Sequence, residues 1–153
     1  MNIFAKSALI ALLAGMATVA TAASDKRASD ELFVTSAKAG RGGAVSIDFD
    51  NRAGAAVGFE FKIKVPTDAK VNTSNCLADL PKSHTGVCMF NHIEGYVLGM
   101  VFSDSNELLP KGMVPVGRVL IRAGKQPVDV KVEHFLAADA NAKKIESSAK
   151  VLE

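Results

Sequence analysis

Val57-Gly-Phe-Glu-Phe-Lys-Ile-Lys-Val65 is the stretch whose reading decides the fold. Val57, Phe59, Phe61, Ile63 and Val65 alternate with Gly58, Glu60, Lys62 and Lys64. Period-two alternation means a strand with one face in a core and the other in water. Pro66 ends the ladder because it has no N–H to donate. Upstream, Val45, Ile47 and Phe49 alternate in the same way with Ser46, Asp48 and Asp50, between turns at residues 38–43 and 51–54. Residues 31–37 read as a first strand.

Downstream, residues 87–91, 96–102 and 116–122 read as further strands, with turns at 92–95 and 103–112 between them. Val128, Val130, Val132 and His134 fall on one side of the next strand. Residues 67–85 are long, polar and irregular, an unusual length for a loop in a compact domain. The tail from Ala137 has helical propensity in its Ala, Lys and Glu, while residues 149–153 can close as a strand. Short strands with turns between them and no amphipathic helix predict an all-β fold, an antiparallel β-sandwich of about eight or nine strands.

The N-terminus has a different composition. Lys6 precedes an uncharged apolar run over residues 7–19, followed by Ala20-Thr21-Ala22-Ala23. A positive start, a short hydrophobic stretch and small residues at a cleavage position predict a signal peptide over residues 1–22. The run is too short for a helix that crosses a bilayer core of about 30 Å. A flexible leader over residues 23–30 and one domain over residues 31–153 complete the predicted organisation, with no membrane span after cleavage and a secreted or periplasmic destination. Without Lys6, 17 basic side chains face 16 acidic ones, a balance that points away from nucleic acid.

Both cysteines lie in the exported part, so Cys76 and Cys88 are predicted to form a disulfide. Closing that loop contributes roughly 3 kcal/mol through the entropy of the unfolded chain.

The order of motifs resembles a cohesin domain, a jelly-roll type sandwich related to carbohydrate-binding modules. Residues 43–51 resemble its opening strand. Val57-Gly-Phe-Glu-Phe-Lys-Ile-Lys-Val-Pro-Thr-Asp68 resembles its central G-F-x-F-x-L-x-Y-D strand, with Val65-Pro66-Thr67 where that pattern has its tyrosine and aspartate. Residues 99–121, with Ser103-Asp-Ser105 ahead of Gly112, resemble its strand, turn and strand. Ala138-Asp-Ala-Asn-Ala142 resembles the A-D-A-N-G turn before its last strand, which makes residues 149–153 the closing strand. The resemblance implies a non-catalytic module that binds a protein partner, either a dockerin or a component of the cell surface or secretion apparatus.

Candidate sites follow from residue types. Asp48, Asp50, Glu60, Lys62 and Lys64 are the outward residues of two strands and are expected to form a mixed polar binding face. Cys76, His84, Cys88 and His92 offer a thiolate and imidazole set for zinc, although their spacing matches no paired-cysteine pattern. With the sulfurs in a disulfide, His84 and His92 remain as the metal alternative, and Met89, Met100 and Met113 with His92 as a copper version. Asp48-Phe-Asp-Asn51 begins like a calcium loop but has Ala53 where the sharp turn needs glycine. No nucleophile stands beside a base in any known motif, so no enzyme activity and no cofactor are expected. Carbohydrate binding is the main alternative function, and metal binding the second. The mature chain has no Trp and one Tyr, Tyr96, and its phenylalanines mostly fall at inward positions, which leaves few flat faces for a sugar.

Overall fold

The computed structural model describes residues 29–36 and 42–153. The expected signal peptide, residues 23–28 of the expected leader and most of the first glycine-rich turn lie outside the described residues. Among the described residues ten strands run in chain order: β1 (Asp30–Ser36), β2 (Gly42–Asn51), β3 (Gly58–Lys64), β4 (Lys70–Asn72), β5 (Thr85–Asn91), β6 (Tyr96–Phe102), β7 (Gly112–Arg122), β8 (Lys131–Ala138), β9 (Lys144–Ile145) and β10 (Ser147–Leu152). They form two five-stranded sheets, ordered β10-β1-β2-β7-β4 and β5-β6-β3-β8-β9. The chain is an all-β sandwich. One pair departs from antiparallel order: β1 runs parallel to β10, so the first and last strands lie side by side. A parallel neighbour needs a long crossover, and here the whole intervening chain supplies it.

Between the sheets lies the core that the alternation predicts. Phe49 of β2 meets Phe59 of β3 with ring centroids 4.7 Å apart, and Phe135 of β8 closes against Phe49 at 5.8 Å. Phe61 is fully buried and its ring lies across Gly99, directly opposite on β6. Any Cβ at residue 99 would overlap that ring, so the strand needs glycine there.

Residues 67–85 are ordered for three reasons. They contain the short β4, which pairs with β7. Beyond it, the Arg118 N–H donates to the Asn75 carbonyl (2.9 Å) and the Asp79 N–H to the Val116 carbonyl (3.1 Å). Both bonds fall at the β7 bulge, where Gly117 lets the Asn75 and Cys76 carbonyls approach too closely for any side chain. The third reason is the Cys76–Cys88 disulfide, which ties this segment to β5.

A second bulge corrects the reading of β8. The β3–β8 register shifts between Lys62 and Ile63, so that Ile63 faces Val132 while Lys62 faces His134. The extra residue, Glu133, reverses the alternation: Val130 and Ala137 are buried, and His134 points to solvent instead of continuing the inward row. The closing strand appears as β10, and the tail is not helical.

Candidate functional site

The two sheets present two outer faces of unlike chemistry. On the β10-β1-β2-β7-β4 sheet, Glu31 of β1 stands opposite Asp50 of β2. Its side chain is only 4% exposed and accepts from Arg52 (2.8 Å) and Lys150 (2.7 Å). Arg52 also reaches Asp50 at 2.6 Å, and this contact is the main reason its guanidinium is held above its ordinary pKa. Asp48 is pushed above the usual carboxylate range by burial and, secondarily, by the charge of Asp79. Asp30 is raised as well, because desolvation outweighs the opposing N–H groups of Ala53 and Arg52. The Glu31 and Asp50 carboxylates of this face are thus occupied by partners within the chain.

The β5-β6-β3-β8-β9 sheet differs. Strand register sets its outward side chains in rows: Val87, Met100, Glu60 and Leu136 across one, and Met89, Leu98, Lys62 and His134 across the next. The β5–β6 half is apolar and open to solvent, with Val87 and Met89 each 52% exposed, Met100 45% and Phe102 39%. The β3–β8 half is charged but paired internally. His134 Nε2 lies 2.7 Å from Glu60 Oε1, and Lys62 Nζ lies 3.3 Å from Glu133. Lys62 also stands 4.2 Å over the Tyr96 ring, and Lys64 donates to the Glu94 carbonyl.

At one end of this face, two loops frame a cleft of about 630 Å³. Its floor includes Glu60, Met100, Phe102, Leu136 and Ala138, and its walls include Ser103, Asn106 and residues 139–142. Each wall is built by local polar chemistry. Asp139 Oδ1 accepts from the Asn141 and Lys143 N–H groups (2.8 and 2.9 Å), which folds the turn tightly and puts Ala142 in the left-handed region (φ 56°). Ala142 holds the position of the glycine in the motif that this turn resembles. The Ser103 hydroxyl accepts from the Glu107 N–H at 3.0 Å, and Asn106 is also left-handed (φ 60°). Buried Asn51 anchors the far end of that loop by donating to the Leu109 carbonyl at 2.8 Å.

The five expected binding residues therefore do not share a face. Glu60, Lys62 and Lys64 lie on the apolar-charged sheet, while Asp48 and Asp50 lie across the sandwich on the other. The strand alternation is as expected, but side-chain period alone does not say which sheet a strand joins. The metal alternatives come apart too. The sulfurs of Cys76 and Cys88 are bonded to each other. His84 and His92 bracket β5, roughly 25 Å apart by the rise of an extended strand. His84 is buried with Nδ1 at 3.0 Å from the Ser83 hydroxyl, whereas His92 is exposed. Met89 and Met100 face out from one sheet and Met113 belongs to the other. Among the described residues no three of His, Cys, Asp and Glu gather as a metal would require.

Val87, Met89, Met100, Phe102 and Leu136 were not among the expected site residues, and Phe102 faces outward against the inward expectation for phenylalanine. A signal for the first four exists in the sequence: residues 87–90 and 96–102 are unbroken apolar runs apart from Gly99, with no polar alternate face. Such runs ordinarily mark strands covered on both sides.

The chain matches no protein-family model and no curated protein sequence. Its fold is that of the cohesin domains. A type I cohesin from Clostridium thermocellum, solved in a cohesin–dockerin complex, superposes with a TM-score of 0.62 at 13% identity, over 80% of this chain and 92% of that one. A type II cohesin domain from the cellulosome of Acetivibrio cellulolyticus gives 0.58 at 14% identity, over 82% and 93%. A non-cellulosomal cohesin from the archaeon Archaeoglobus fulgidus gives 0.57 at 11%, over 82% and 93%.

Proposed function

We propose that this protein is an exported, non-catalytic binding module that takes a protein partner on the outer face of the β5-β6-β3-β8-β9 sheet. The observation that carries the reading is the contiguous exposed cluster of Val87, Met89, Met100 and Phe102, bordered by Glu60, Lys62 and His134. An apolar centre with a polar rim is the anatomy of a protein interface, and contiguous exposed apolar surface on a single domain marks an interaction site. Structural neighbours solved with a dockerin bound support a protein as the partner class. The N-terminal sequence pattern and the disulfide support export.

A glycan is less well served by this face. Tyr96 has the Lys62 ammonium over its ring, which leaves Phe102 as the freer aromatic surface. The test places a photo-crosslinking residue at Met89, at Met100 and, as a control on the opposite sheet, at Leu120, in protein exported by its own cell. Protein adducts at residues 89 and 100 but not at 120, lost on substitution Phe102→Glu, are the expected result. Equal adducts at all three positions, or affinity for glycans alone, would sink the reading.

A further inference from the structure

Four strands end the two sheets, and they differ in how they meet water. The edge strand β10 carries Lys150, β4 has three residues including Lys70, and β9 has two including Lys144. Short length and charge are the ordinary protections of a sheet edge. The remaining edge, β5, has seven residues, Thr85-Gly-Val-Cys-Met-Phe-Asn91, with no charge and no proline. Among the described residues its only strand partner is β6, and no loop backbone bonds to residues 85–90. The Cys76–Cys88 bridge holds the middle of the strand in place, so the open edge is also a fixed one.

The order of residues in β5 says what fits it. Outward positions run Thr85, Val87, Met89, Asn91, symmetric in polarity about Cys88, and inward ones Gly86, Cys88, Phe90. An antiparallel copy centred on Cys88 therefore sets Val87 against Met89 twice and Thr85 against Asn91 twice. Apolar meets apolar and polar meets polar across the pair, the matching that stabilises cross-strand neighbours. No like charges oppose one another at the two-fold axis, as they would if β10 met β10 at Lys150.

We infer that β5 pairs with β5 of a second copy of this chain, joining two five-stranded sheets into one and uniting the two Val87–Met89 patches. An edge of this length makes a small interface at the weak end of specific association, so the dimer forms at roughly 10–500 µM. The inference stands apart from the partner reading, since a monomer could still bind a partner and a dimer could lack one.

Sedimentation velocity on the exported, processed protein across that range tests it, with hydrogen exchange as the second readout. The expected result is a monomer-to-dimer shift with protection gained at residues 85–91 and none at 147–152. The double variant Val87→Lys with Met89→Lys puts four cations at the junction and should weaken the dimer at least tenfold without lowering the melting temperature. Val87→Lys with Met89→Glu places Lys against Glu twice and should restore it, in a salt-sensitive form. A wild type that stays monomeric throughout, or a dimer indifferent to the double-lysine variant, overturns the proposal.

Discussion

The two outer faces of the sandwich use the same strand geometry for opposite ends. Around Glu31, the first sheet spends its charges internally: a carboxylate almost out of solvent holds two cations that themselves remain partly exposed. Opposite, around Met100, apolar side chains stay in water with no other described residue to cover them. A cluster whose groups are already partnered, like that around Glu31, contributes to stability and offers little to a second molecule. A face that leaves apolar area in water gains by covering it. Substitutions on the first face should therefore be felt in folding, and those on the second in binding.

That division can be broken or sharpened by experiment, beginning with the largest expected effect. Replacing both Cys76 and Cys88 with Ser should cost about 3 kcal/mol, read as a lower melting temperature. Hydrogen exchange should quicken in β5 and residues 73–84 while β1 and β2 stay protected. If β1 and β2 loosened equally, the apolar face would not be the separately stapled region described above.

Glu31→Gln should come next, costing about 2 kcal/mol through two charge-assisted hydrogen bonds, with partner affinity unchanged. Met100→Glu should do the reverse, weakening partner binding at least tenfold, or about 1.4 kcal/mol, while the melting temperature barely moves. A variant that changed both quantities together would end the distinction between the faces.

Two smaller effects refine it. Ala142→Gly should stabilise the protein by about 0.5–1 kcal/mol in chemical denaturation, because an alanine in the left-handed region bears a steric cost that glycine escapes. The smallest effect concerns Asp30, whose folded pKa lies above the ordinary 3.8. A carboxyl raised in this way stabilises the fold fully below the unfolded pKa, and that contribution is lost as pH rises through the folded value. Asp30→Asn should therefore raise the melting temperature near neutral pH, with the advantage shrinking as pH falls toward 3.8. Thermal scans across that interval check the sign.

Much of the fold was legible because burial on one face writes itself into alternate residues. The period in residues 57–65 and 45–49 placed Phe49, Phe59, Phe61 and Ile63 in the core before any coordinates. Tyr96–Phe102 was read with its true bounds. The pairing of Cys76 with Cys88 needed only their number and the expectation of export. Strands of two or three residues, β4 and β9, were missed because so short a piece has no period to show. The candidate site was read less well. Glu60, Lys62 and Lys64 were rightly expected to face water, but their true neighbours are Met100, Leu98 and Tyr96 on β6 and Leu136 and His134 on β8.

By itself, the order of residues determined which side chains turn inward along each strand, where the chain must bend, and that the two thiols would meet. The first two are local matters, settled by period and turn chemistry, and the third followed from there being two cysteines to pair. Only the tertiary structure decided that β2 and β3 belong to different sheets and that a bulge at Glu133 turns His134 toward Glu60. It also decided that, among the described residues, β5 ends a sheet with its apolar face uncovered. The physical reason is that register, sheet partner and edge position are relations between segments far apart in the chain. They are chosen by the packing of the whole core, and no single segment's pattern encodes them.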